Sequence, residues 1–98
     1  MTTLNYADEL RQDVDRIVAH LVEHEAQHID ERLAELFDAL LLLKRHPLIG
    51  RPSDGGRREL VIGEGGRGYV ALYRYDVLDD AVEILALRGQ REMGFRDR

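Results

Sequence analysis

The feature that most constrains this chain is a change of hydrophobic period near residue 47. Before that point apolar residues recur at helical spacing, and after it they alternate as in strands. Leu10, Val14, Ile17, Val18 and Leu21 follow one another at intervals of four, three, one and three, which draws a single stripe on a helix. Asp8, Glu9, Asp13 and Asp15 crowd its first turns, where carboxylates suit the positive end of the helix dipole. Ala26, Ile29, Leu33, Leu36, Phe37, Leu40 and Leu43 draw a second stripe that runs to Lys44 and Arg45 and stops at His46-Pro47. Residues 40–43 are leucine on every side of the helix, which predicts burial on more than one face, against a sheet and against a partner. The short link at residues 23–25 predicts that the two helices fold back as an antiparallel pair.

After the turn at residues 47–52 and the loop at 53–56, three segments read as strands, at residues 58–62, 67–75 and 81–87. In the second, Tyr69, Ala71, Tyr73 and Tyr75 point one way and Val70, Leu72 and Arg74 the other. Apolar groups on both faces mark a central strand. Gly63-Glu64-Gly65-Gly66 and residues 76–80 are turn material of hairpin length, so the three strands are expected to form an antiparallel meander. Leu4 and Tyr6 alternate with Thr3 and Asn5, which allows a fourth strand at residues 2–6, although Asn5 also suits a helix cap. The pattern predicts an α+β fold, a helical hairpin on a three- to four-stranded antiparallel sheet, as one domain over residues 1–98.

Composition narrows the function classes. The chain has no cysteine, which rules out disulfides and thiolate metal sites and fits a reducing compartment. Its opening residues do not carry the basic head and apolar run of an export signal, and no segment reaches the ~18 apolar residues of a membrane span. A soluble, cytoplasmic protein is expected. The formal net charge of −5 is unevenly spread. Residues 1–43 hold three arginines against ten carboxylates, and residues 44–98 hold eleven Lys and Arg against nine. The second half is therefore the one suited to an anionic surface or an acidic partner. Arginine outnumbers lysine thirteen to one; its planar fork suits carboxylate and phosphate, and a base-composition bias raises Arg in the same way.

Several motifs are weaker than they look. His20, His24 and His28 are spaced by four, but the helix is expected to break before His28 and no cysteine or clustered carboxylate completes a shell, so they read as a solvated polar face. No metal or organic cofactor is implied. The glycine-rich run at residues 63–68 opens a strand rather than a helix and is a hairpin turn, not a phosphate cradle. What remains is a set of arginines, Arg51, Arg58, Arg67, Arg74, Arg88 and Arg91, interleaved with Tyr69, Tyr73 and Tyr75 and followed by Glu92. Such a set can hold phosphates and stack bases, or it can be core tyrosines and solubilising arginines.

Pro47-Leu48-Ile49-Gly50-Arg51-Pro52, then Arg58-Glu59-Leu60-Val61, then Gly68-Tyr69-Val70-Ala71-Leu72-Tyr73-Arg74-Tyr75, and finally Ile84-Leu85-Ala86-Leu87-Arg88-Gly89-Gln90-Arg91-Glu92-Met93-Gly94-Phe95 resemble the RelE/ParE toxins of bacterial type II toxin-antitoxin modules, also called plasmid-stabilisation proteins. The resemblance spans nearly the whole chain. It implies a toxin silenced by a small antitoxin whose disordered segment folds across it. The residues expected to meet that antitoxin are Leu36, Leu40, Leu43, Arg58, Arg67 and Arg74; those expected to meet the target are Arg51, Arg88, Arg91 and Phe95.

The family divides into ribosome-dependent messenger-RNA endonucleases similar to RelE and inhibitors of DNA gyrase similar to ParE. For the nuclease branch, Arg74, Arg88 and Arg91 would contact the phosphate and Glu92 would act as base. The chain departs from that branch. Val70 stands where an arginine is usual, Glu59 and Val61 where lysines would serve, Gly89 in place of a histidine and Phe95 in place of a tyrosine. The resemblance therefore favours gyrase inhibition without bond-breaking chemistry. The alternatives are a ribosome-dependent endonuclease, or a decayed toxin that only binds antitoxin.

Overall fold

The computed structural model describes residues 2–24, 27–63 and 68–90. Strand β1 (Thr3–Tyr6) leads into helix α1 (Leu10–Glu23), helix α2 (Ile29–Leu41) and a 3-10 turn at Leu42–Lys44. Strands β2 (Arg51–Pro52), β3 (Arg58–Ile62), β4 (Tyr69–Asp76) and β5 (Ala81–Gly89) follow. They form one sheet in the order β1-β5-β4-β3-β2, with β4 in the centre. The α+β class and the helical pair on a sheet are as expected. The sheet itself has five strands rather than three or four and is mixed rather than antiparallel, because β1 lies parallel to β5 with Leu4 opposite Val82 and Tyr6 opposite Ile84. Parallel pairing of chain ends this far apart leaves no local turn signal. The two-residue β2 is likewise too short to show a period.

The helices cover one face. Leu10, Ile17 and Leu21 from α1 and Leu36 and Leu40 from α2 join Ile62, Ala71, Tyr73, Val82, Ile84 and Leu87 in a continuous core. The helices part at His28, whose backbone is left-handed (φ 60°), so α2 restarts in a new direction. Leu40 and Leu43 have no accessible surface, which corrects the expectation that they meet a partner. The outward leucines of that run are Leu41 and Leu42, each 49% exposed.

The pairing of β4 with β5 slips between Leu72 and Tyr73, where Leu72 faces Ala86 but Tyr73 faces Ile84. Leu85 is the extra residue of a β-bulge. The bulge changes the parity of β5, so both Ile84 and Leu87 reach the helical side while Ala86 and Arg88 face away.

Beyond Ile84 the outer edge of β5 has no strand beside it among the described residues, because β1 ends where Ala7 N–H meets the Ile84 carbonyl at 2.9 Å. Helix α1 takes over. The buried Asp13 carboxylate accepts from Leu87 N–H at 3.0 Å, and Arg16, bonded to Asp13 at 2.9 Å, donates to the Leu87 carbonyl at 2.9 Å. Two side chains thus do what a neighbouring strand would do, and they blunt an edge open to unwanted pairing. Among the described residues no helix is long and apolar enough to cross a membrane.

Candidate functional site

The sheet face turned away from the helices follows from the register. Arg51 pairs with Glu59, Glu59 with Leu72 and Leu72 with Ala86, and directly opposed residues share a face. The next rows are Val61, Val70 and Arg88, and Arg74 with Glu83. Arg51, Arg74 and Arg88 therefore come to one face, as the sequence suggested for a functional surface. Their backbone positions are spread along the sheet. Arg74 lies four residues along β4 from the row of Arg88, a strand distance of ~13 Å. The Nε and Nη2 groups of Arg51 donate to Glu59 Oε1 at 3.0 and 2.8 Å, so this guanidinium is already neutralised. Arg74 is exposed and Arg88 half-buried.

Arg58 behaves differently. It lies opposite Tyr73, on the helical side, and Nη1 donates to the carbonyls of Gly50 at 2.7 Å and Leu48 at 3.2 Å. It anchors the loop before β2. Tyr73 completes that anchor: its fully buried hydroxyl accepts from Gly50 N–H at 2.8 Å. Burial holds the phenol above its ordinary pKa, against the opposing pull of the Gly50 hydrogen bond and the Arg58 charge. Tyr73 is thus a structural group. The residues expected to bind antitoxin are not one surface, since Leu36, Leu40, Leu43 and Arg58 lie on the helical side and Arg74 on the other. Arg67, Arg91, Glu92 and Phe95 lie outside the described residues.

A cleft of about 580 Å³ opens between α2 and the end of the β3–β4 pair. His28, Glu31, Arg32 and Glu35 form its polar wall, and Leu36, Ala39, Ile62 and Tyr69 its apolar floor. Of the residues expected to meet the antitoxin only Leu36 lines it, joined by Tyr69 of the arginine–tyrosine set. The polar wall was legible in principle, for positions 28, 31, 32, 35 and 39 recur at helical spacing beside the core stripe, but nothing in the sequence says which strand they face.

Among the described residues, no strand covers the outer edge of β3 past Glu59, near the cleft. Ser53 N–H bonds to the Arg57 carbonyl at 2.8 Å, on the β2 side. Alternation places the backbone groups of Glu59 and Val61 on that side too, and β2 reaches only as far as Glu59. Val61 lies past its end with a side chain 46% exposed. A second, shallower apolar surface is lined by His46, Pro47, Leu48, Ile49 and Tyr75.

The comparisons agree with this architecture. The structure of the toxin-antitoxin complex RelBE2 from Mycobacterium tuberculosis contains a chain that superposes with a TM-score of 0.64 at 22% identity, over 91% of this chain and 98% of that one. The chromosomal ParDE toxin-antitoxin system of P. aeruginosa gives 0.62 at 22% identity, over 91% and 96%. A metal-bound toxin from Helicobacter pylori gives 0.54 at 13% identity, over 96% and 100%. No curated protein matches the chain by sequence. The family model of the ParE toxin of the type II toxin-antitoxin system parDE matches residues 4–94, so this chain belongs to the ParE family of type II toxins.

Proposed function

We propose that this toxin arrests bacterial growth in the cytoplasm by binding DNA gyrase, without cutting RNA, and that a cognate antitoxin neutralises it. The observation that carries the reading is the spread of cation positions on the sheet face turned away from the helices. Phosphoryl chemistry needs donors aimed at one developing charge, whereas Arg51 is spent on Glu59 and Arg74 stands ~13 Å of strand from Arg88. Val70, Leu72 and Ala86 between them are buried, so that face presents separated arginines and the exposed Val61, which suits a protein partner better than a single phosphate. Gly89 and Phe95, where the resemblance calls for histidine and tyrosine, point the same way.

The antitoxin is assigned to the cleft beside α2. Its apolar floor and mixed polar wall fit an amphipathic segment that orders on contact, and the free Val61 edge offers backbone hydrogen bonds to an extended stretch of it. The likeness to toxin-antitoxin assemblies supports such a partner.

Purified gyrase tests the target. Free toxin is expected to block supercoiling or trap cleaved DNA, and gyrase unaffected at saturating toxin refutes the assignment. Message cleaved only on translating ribosomes, mapped by 5′ ends, would replace it with the endonuclease reading. Normal growth on induction of the toxin alone would mark a decayed toxin.

A further inference from the structure

The three-histidine series of the first helix fails as a set, but it leaves a pair. His28 is separated by the left-handed break before α2, and its Nδ1 lies 3.4 Å from Glu31 Oε2. His20 and His24 remain on the last turn of α1 and its cap, both exposed, with ring centroids 4.2 Å apart and planes tilted by 36°.

The protonation pattern of His24 is set by its neighbour. Nδ1 lies 3.0 Å from the His20 carbonyl oxygen. A carbonyl only accepts, so in the neutral ring this contact puts the proton on Nδ1 and leaves Nε2 its lone pair. This is the arrangement that metal-ligating imidazoles adopt when a backbone carbonyl holds the other ring nitrogen. Two metal–nitrogen bonds of ~2.0–2.1 Å at a tetrahedral angle place the nitrogens roughly 3.3 Å apart, a span comparable with the 4.2 Å between these ring centroids.

We propose that His20 and His24 chelate a late first-row divalent cation, of the nickel, zinc or copper kind, on the outer face of the α1 C-terminus. Imidazole selects these borderline cations over magnesium or calcium, which prefer oxygen. Among the described residues no group of three or more His, Cys, Asp and Glu could hold a metal, and two imidazoles by themselves make a site that exchanges readily. The surplus of carboxylates in residues 1–43 raises the local cation concentration. A bound ion would bridge one helical turn and hold the end of α1 closed where the chain passes to α2.

Titration of the untagged full chain with nickel chloride and zinc chloride, followed by calorimetry and by the imidazole proton resonances, tests this. One ion per chain is expected, with shifts at His20 and His24, slowed amide exchange at the end of α1 and no response to magnesium chloride. His20→Ala or His24→Ala should each weaken binding by about tenfold or more, and His46→Ala should leave it unchanged. Both positions are exposed, so unaltered far-ultraviolet circular dichroism will separate lost chelation from lost fold. Absence of binding, or affinity that survives both substitutions, overturns the proposal.

Discussion

Replacing Asp13 by alanine is expected to unfasten the end of β5 from α1. The carboxylate is 3% exposed and accepts from Leu87 N–H, a buried donor with no strand beside it. Leaving such a group unsatisfied costs about 1–3 kcal/mol. The Arg16 ion pair adds little, about 0–1 kcal/mol, because Arg16 is 40% exposed and solvent screens it. Together these give a loss of about 1–4 kcal/mol for Asp13→Ala. Asp13→Asn keeps an acceptor and loses only the charge, so it should cost about 1 kcal/mol. In a domain this small each kcal/mol lowers Tm by about 4–8 °C, so the alanine variant should melt roughly 4–30 °C lower. Urea unfolding monitored by circular dichroism gives the free energies, and amide exchange at Leu87 reports the site directly. An alanine variant within about 0.5 kcal/mol of the parent, or an unchanged Leu87 exchange rate, would falsify the claim that α1 substitutes for an edge strand.

The Gly50 loop and the N-terminal anchor give two more tests. A Cβ at Gly50 would sit 2.6 Å from the Tyr73 ring and hydroxyl and 2.8 Å from the Glu59 carbonyl, so Gly50→Ala should cost about 1–3 kcal/mol in chemical denaturation. Tyr73→Phe, which strips Gly50 N–H of its acceptor, should cost a similar ~1–3 kcal/mol; parental stability in both would show that the loop is not clamped there. Asp80 accepts from Thr2 at 2.7 Å and Tyr75 at 2.9 Å, and these bonds hold its carboxyl below the ordinary pKa of 3.8. Because the folded value is the lower one, this stabilisation is complete above the unfolded pKa and is lost as pH falls through the folded pKa. The acid limb of the parent's stability profile should therefore flatten in Asp80→Asn, and an identical pH dependence in both proteins would exclude the network.

The helices, strands β3 to β5 and the turn between β4 and β5 were legible because each is written into contiguous residues. Even the central place of β4 could be read from apolar groups on both its faces. Strand β1 was legible only as a short alternation, since what makes it a strand is a partner nearly eighty residues away. Arginines of the sheet could be named, but not which of them were already engaged by Glu59 or by the Gly50 carbonyl.

By itself the sequence determined the α+β class, the order of its main elements and the likeness to toxins, because period, turn chemistry and motif order are local properties. Tertiary structure alone decided which residues face outward. One extra residue at Leu85 reverses the alternation of β5, sending Leu87 into the core and Arg88 to the open face. In residues 40–43, all leucine, only packing against the sheet separates buried Leu40 and Leu43 from exposed Leu41 and Leu42. The acidic first turn of α1, read as a dipole effect, contains in Asp13 a side chain whose partner is a backbone group that only the folded chain brings near.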